Sequence, residues 1–176
     1  AVALDVDVKD LVADADSITF CLSKGLAAPI GSVICGSEKF IYHARRTRKA
    51  LGGGMRQAGI IASAGLYSLD NMLDQIHEDH KNAKRLAAGI DDIDGLSINK
   101  KNIKSNILYF DIEKGENRGE NLARQTKNIE IYPFEIALDN TRFFESRPGR
   151  FRLVTHYGIT RDDIEKALAT LKNMVK

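Results

Sequence analysis

The sequence predicts a mixed α/β fold, and three observations carry that prediction. Residues 17–22 and 151–156 alternate apolar side chains with other ones, the period of two of a β-strand. The stretches after residues 57 and 160 place apolar residues at helical spacing instead. The 176 residues hold 43% hydrophobic and 28% charged side chains, which suits a chain that builds a core rather than one that stays disordered. That length fits one domain or a small two-part unit.

Taken in order, residues 6–12 mix Val, Leu and Asp without a clear period, and Asp14-Ala15-Asp16 ends them. In residues 17–22, Ile18, Phe20 and Leu22 share one face and Thr19 and Cys21 the other. Residues 31–35 read as the next strand. The connector at 24–29 is too short for a parallel crossover, so the two strands should pair antiparallel. Ser37 followed by Glu38 suits a helix start, and Phe40, Ile41 and Ala44 follow at helical spacing. Arg45, Arg46, Arg48 and Lys49 crowd the last turn, where cations complement the helix dipole. Gly52-Gly53-Gly54 then breaks the helix.

From Gln57 one long helix is predicted, apolar through Ile60, Ile61, Ala64, Tyr67, Met72, Leu73 and Ile76, then amphipathic through Leu86 and Ile90. Gly59 and Gly65 inside it point to close packing. In the second half, residues 105–112 read as a strand, 119–128 as a helix and 129–132 as a short strand. In residues 151–156, Phe151, Leu153 and Thr155 lie opposite Arg152, Val154 and His156. Thr160 with Asp163 makes a capping-box pattern, and Ile164, Leu168, Leu171 and Val175 form the stripe of a closing amphipathic helix.

A net charge of +2 argues against a nucleic-acid binder of the strongly basic kind. No apolar run approaches the roughly 20 residues of a membrane span. Two cysteines, Cys21 and Cys35, make no disulfide framework and read as free thiols of a reducing compartment, so a cytoplasmic location is expected. The chain begins at Ala1 without Met and reads as if cut from something longer.

Five features bear on chemistry. Lys24 ends a largely apolar strand and opens a Gly-Leu-Ala-Ala-Pro-Ile-Gly turn. A lysine held among apolar groups is a competent amine nucleophile for Schiff-base formation; a solvated loop lysine is the other reading. In Leu51-Gly52-Gly53-Gly54-Met55-Arg56-Gln57 the glycines either present N–H groups to an anion, with Arg56 adding a cation, or simply connect two helices. The Walker spacing is not met. Arg152 shares a strand face with Val154 and His156, so it either clamps a carboxylate or sits on the surface. His77-Glu78-Asp79-His80 lacks the spacing of a helical metal pair and reads as solvated charge, so no metal is expected. Arg45, Arg46, Arg48 and Lys49 either steer an anion or only answer the helix dipole.

Three segments together resemble one family. Residues 16–32, Asp-Ser-Ile-Thr-Phe-Cys-Leu-Ser-Lys-Gly-Leu-Ala-Ala-Pro-Ile-Gly-Ser, resemble the cofactor-lysine segment of low-specificity L-threonine aldolases (L-allo-threonine aldolases). Residues 48–59 resemble the family's second hallmark, and Arg152-Leu153-Val154-Thr155-His156 its third. The resemblance runs end to end over this chain. It implies an aspartate-aminotransferase-like, fold type I enzyme using pyridoxal 5'-phosphate. Residues 1–56 would be the C-terminal part of the large cofactor domain, and residues 57–176 a bridging helix with the small C-terminal α/β domain.

By the same resemblance Lys24 is the catalytic lysine that binds the cofactor, and Arg56 lies near the cofactor phosphate. Arg152 binds the substrate carboxylate, with Lys49 close by. The implied reaction is aldol cleavage of L-threonine or L-allo-threonine to glycine and acetaldehyde, in a homo-oligomer, dimer or tetramer. Alternatives are another lyase of the same fold, acting by β-elimination or on other β-hydroxy amino acids, and a non-catalytic truncated subunit. Two departures stand out. Family members usually carry Gly where this chain has Ala27, which matters only if the position needs φ > 0. Residues 138–148 look longer than the family's usual approach to the Arg152 strand. The resemblance also matches only the second part of the family's chain. It therefore implies that the ring-stacking group, the aspartate pairing the pyridinium nitrogen and the β-hydroxyl base precede residue 1, and that the fragment alone turns over little.

Overall fold

Alternation at residues 17–22 does produce a strand. In the computed structural model, which describes residues 1–112, 135–138, 141–147 and 149–174, β1 (Ser17–Cys21) pairs antiparallel with β2 (Ser32–Gly36), placing Ile18 opposite Cys35 and Phe20 opposite Val33. A 3-10 turn at Val2–Leu4 and a single-turn helix α1 (Val8–Leu11), capped by Asp7 accepting from the Lys9 N–H, precede them. Helix α2 (Glu38–Ala50) starts where expected, with Ser37 Oγ accepting from the Phe40 N–H at 3.3 Å.

The helix predicted from Gln57 is two helices, α3 (Gly59–Asn71) and α4 (Leu73–Asp91). Asn71 Nδ2 donates to the Tyr67 carbonyl at 2.8 Å and Ser68 Oγ to the Ala64 carbonyl at 2.9 Å, so side chains compete for the backbone acceptors just before the break at Met72. Of the two glycines, Gly65 marks close packing: a Cβ there would fall 2.9 Å from Leu22 Cδ1, whereas nothing lies near Gly59.

The chain divides into two compact units, residues 1–77 and 78–176. In unit 1 only Leu22, Leu26 and Ala28 form a buried cluster, with Phe20, Val33, Leu69 and Ile76 packed on it. Unit 2 is built on an antiparallel sheet of order β3-β4-β7-β6-β5: β3 (Leu96–Ile98), β4 (Ile107–Ile112), β5 (Glu135–Leu138), β6 (Thr141–Arg147) and β7 (Arg150–Val154). Leu108, Phe110, Phe151 and Leu153 face inward from β4 and β7. The Phe110 and Phe151 rings stack at 5.3 Å, as their cross-strand register requires. Leu86 and Ile90 of α4 and Ile164 and Leu171 of α5 (Arg161–Met174) close this core.

The capping box forms in full. Thr160 Oγ1 accepts from the Asp163 N–H at 3.2 Å, and Asp163 Oδ2 accepts from the Thr160 N–H at 2.9 Å. The strands expected at 105–112 and 151–156 are present with trimmed ends, and Thr155 and Asn106 extend their pairing by exchanging backbone and side-chain bonds. Strands β3, β5 and β6 go beyond what the periodicity predicts; part of the 138–148 segment belongs to the antiparallel β5–β6 pair. The predicted helix at 119–128 and strand at 129–132 lie outside the described residues. Asp79, read from sequence as solvated charge, is instead buried, with its backbone carbonyl accepting from Thr155 Oγ1 at 2.5 Å. No helix among the described residues is long and apolar enough to cross a membrane.

Candidate active site

Lys24 stands on a turn made by hydrogen bonds on both sides of it. The Leu22 N–H donates to the Gly31 carbonyl at 2.9 Å, the Ala27 N–H to the Lys24 carbonyl at 2.8 Å and the Ala28 N–H to the Leu22 carbonyl at 3.1 Å. Leu22, Leu26 and Ala28 turn inward, with Leu22 seated against Gly65 of α3. Ser23 and Lys24 are thereby left outside. Lys24 is exposed rather than held among apolar groups, so its amine is accessible on a backbone that is pinned. Ala27 takes φ 56°, the left-handed region. The position where the resembling family carries Gly does need φ > 0, and this chain meets that need with a residue that pays a steric cost there.

The glycine run serves α2 first. The Gly52 N–H donates to the Lys49 carbonyl at 3.1 Å and the Gly53 N–H to the Arg48 carbonyl at 2.8 Å, with Gly52 at φ 87°. This is the end of a helix folding back on itself. Two of the three glycine N–H groups are therefore committed to α2, and α3 starts only at Gly59, so the run is not a phosphate loop opening a helix. What it does provide is room. A Cβ built on Gly54 would lie 2.8 Å from Lys49 Nζ and 3.1 Å from Lys49 Cε, so the Lys49 side chain lies across that glycine. Arg56 follows, exposed. Lys49 also lines a surface groove along α2 with Tyr42, Arg45 and Arg46; Arg46 is tied to Tyr42 by a 3.2 Å hydrogen bond and stacks 5.8 Å over its ring.

In unit 2, Arg152 lies on the outer face of β7 opposite Tyr109 of β4. Arg150, two residues earlier on the same face, is differently employed. Its Nε and Nη2 donate to the two carboxylate oxygens of Asp111 at 2.8 and 2.6 Å, and that pair holds the guanidinium above its ordinary pKa. No ion pair involves Arg152 among the described residues. The alternation that named Arg152 from sequence could not separate it from Arg150; the cross-strand register does. Lys24, Lys49 and Arg56 thus belong to unit 1 and Arg152 to unit 2. Among the described residues no group of three or more His, Cys, Asp or Glu comes together to hold a metal.

An accessible primary amine on a fixed turn is what an aldehyde-bearing cofactor needs, and the ammonium and guanidinium on either side of the glycine turn, elsewhere in the same unit, are groups that answer a phosphate. The model of the beta-eliminating lyase family matches residues 1–113. Low-specificity L-threonine aldolase 1 of Arabidopsis thaliana is 40% identical over 169 residues, 96% of this chain and 45% of that protein. The low specificity L-threonine aldolase of Escherichia coli (strain K12) is 34% identical over 170 residues, with the same coverage of 96% and 45%. The chain therefore spans less than half the length of these relatives.

The crystal structure assigned to an L-allo-threonine aldolase of Listeria monocytogenes EGD-E superposes with a TM-score of 0.70 at 18% identity, covering 98% of this chain and 48% of that one. The serine palmitoyltransferase of Sphingomonas wittichii does so with a TM-score of 0.63 at 17% identity, covering 94% and 41%. The fold is that of type I pyridoxal 5'-phosphate enzymes, and pyridoxal 5'-phosphate is the cofactor that fold and family support. The chain belongs to the beta-eliminating lyase family, beside its low-specificity L-threonine aldolase relatives.

Proposed function

We propose that the protein is a pyridoxal 5'-phosphate-dependent aldehyde-lyase that cleaves L-threonine and L-allo-threonine to glycine and acetaldehyde. The observation that carries this reading is Lys24: its amine is exposed while the backbone beneath it is held by three hydrogen bonds and a buried leucine. The cofactor, when bound, supplies the electron sink for breaking the Cα–Cβ bond. The chain's own residues bind and orient. Lys24 holds the cofactor through its amine and gives way to the substrate amine. Arg152 clamps the substrate carboxylate with parallel N–H donors, which fixes the direction of the bond to be broken. Arg56 answers the cofactor phosphate, and Lys49 adds a second cation beside the substrate. Arg150 stays with Asp111 and takes no part.

In the same reading, residues 1–56 are the C-terminal part of the large cofactor domain, residues 57–176 are the bridging segment and small domain, and the enzyme is a cytoplasmic homo-oligomer. Unit 1 supports the need for further protein around it. Ile60, Leu66 and Tyr67 of α3 are 77%, 62% and 64% exposed, and Leu51 and Met55 stand out beside the glycine turn. Apolar surface of that extent is normally covered. Residues 1–176 in isolation are accordingly expected to bind cofactor weakly and turn over little.

The test is borohydride trapping with cofactor, followed by peptide mass mapping, on the full-length protein. The adduct is expected on Lys24, and acetaldehyde release from threonine is expected to vanish in Lys24→Ala. An adduct on any other lysine would overturn the assignment. A substrate panel in which β-elimination outpaces aldol cleavage would overturn the reaction.

A further inference from the structure

We propose that Gly54 is a positioning residue for Lys49: the side chain it lacks reserves the space across which the Lys49 ammonium lies. The inference rests on the reading above, in which Lys49 adds a cation beside the substrate. Two neighbouring glycines behave differently in the structure. A Cβ on Gly53 would fall 2.8 Å from Arg48 Cγ and 3.1 Å from the Arg48 backbone carbonyl. That carbonyl already accepts the Gly53 N–H and cannot move without opening the end of α2. The three atoms nearest a Cβ on Gly54 are instead all from the outer part of the Lys49 side chain, its Cδ, Cε and Nζ.

The outer end of a lysine is flexible, so it can swing aside at little conformational cost. Alanine at 53 therefore tests the fold of the turn, whereas alanine at 54 leaves the fold and relocates one ammonium. The same methyl group has two consequences because one glycine faces backbone and the other faces the end of a side chain. The cation that moves is one of four clustered at the end of α2, and two of the others are held elsewhere. Arg46 is tied to Tyr42, and Arg48 lies against Gly53.

The experiment is a double-mutant cycle on the full-length holoenzyme with Gly54→Ala, Lys49→Ala and the combination. Single Gly54→Ala is expected to raise KM for threonine several-fold, with kcat changed less and the melting temperature unchanged. In the Lys49→Ala background the same substitution is expected to have no further effect, because residues acting through one contact are not additive. A readout independent of turnover is the rate at which Lys49 of the cofactor-free protein reacts with an amine-acetylating reagent, followed by peptide mass mapping; Gly54→Ala should change it while leaving Lys39 unchanged.

Full additivity with Lys49→Ala, an unaltered Lys49 labelling rate, or a fall in melting temperature as large as that of Gly53→Ala would each overturn the inference. Failure of the underlying reading looks different. Lys49→Ala would then leave KM and kcat untouched, or borohydride would not capture Lys24.

Discussion

Ala27→Gly should make the Lys24 turn more stable. Ala27 holds φ 56°, and its side chain is exposed, so nothing packs on the methyl group that would be removed. The left-handed conformation costs an ordinary L-residue about 1–2 kcal/mol. Glycine avoids that cost but gives up about 0.4–1 kcal/mol through the greater freedom of the unfolded chain. The difference favours Ala27→Gly by about 0.5–1 kcal/mol.

Unit 1 has its own small core, so the effect is best read locally. Hydrogen exchange at the Ala28 N–H, which donates to the Leu22 carbonyl, and at the Leu22 N–H, which donates to the Gly31 carbonyl, reports opening of this turn. A gain of that size slows exchange by about two- to five-fold where opening is local. The neighbouring Ala28→Gly is the control. Ala28 is buried and has no positive φ, so its replacement loses packing and adds unfolded-state freedom, and exchange should quicken. If Ala27→Gly quickens exchange as Ala28→Gly does, the left-handed strain does not exist and the reasoning fails.

Other consequences are equally direct. In Gly89→Ala the new Cβ would run into Leu168 of α5, so overpacking of about 1–3 kcal/mol should outweigh the gain of about 1 kcal/mol in helix propensity; chemical denaturation should show net destabilisation, partly recovered by adding Leu168→Ala. Thr155→Val keeps the shape but removes the hydroxyl that donates to the Asp79 carbonyl within the core, and should cost about 1–2 kcal/mol in the same assay. Hydrogen bonds from Thr160 hold the Asp163 carboxyl below its ordinary pKa. A depressed folded-state value contributes stability above the unfolded pKa and loses it as pH falls through the folded one. Thr160→Ala should therefore lower the melting temperature at neutral pH, and its gap from the wild type should narrow on acidification below the usual carboxylate range. Arg152→Lys should lower kcat/KM for threonine about 10- to 100-fold, because one ammonium cannot reproduce two parallel N–H donors, while Arg150→Lys should change it far less.

Much of this was legible one residue at a time. Ile18, Phe20 and Leu22 announce β1 because a strand repeats every two residues, and Ser37 announces α2 because its hydroxyl reaches the Phe40 N–H three residues on. Thr160 and Asp163 announce α5 by the same local rule. Strand β3 was not legible, because three residues are too few to show a period. The break at Met72 is not legible because the apolar spacing continues across it, while the competing bonds of Ser68 and Asn71 go to backbone carbonyls. Burial of Asp79 is invisible in a stretch that reads as charged; it follows from the packing of α4 on the sheet, which sets the Asp79 carbonyl against Thr155.

The candidate site divides in the same way. By itself the sequence placed an amine at 24, cations at 49, 56 and 152 and a glycine turn in an order that resembles the family, while residue type alone left a solvated lysine, a plain helix connector and a surface arginine open. Those are properties of residue type and local spacing. Only the tertiary structure decided what each one touches. Arg150 and Arg152 are equivalent by alternation and become distinct because antiparallel register sets Asp111 against one and Tyr109 against the other. Gly53 and Gly54 are identical residues, and what a methyl group at either would meet depends on how the chain folds back over Arg48 and Lys49. Ala27 is an ordinary alanine until the turn closed by its own N–H on the Lys24 carbonyl, and by the Ala28 N–H on the Leu22 carbonyl, sets its backbone in the left-handed region. In each case the deciding quantity is the distance between residues that the fold brings together, which no spacing along the chain contains.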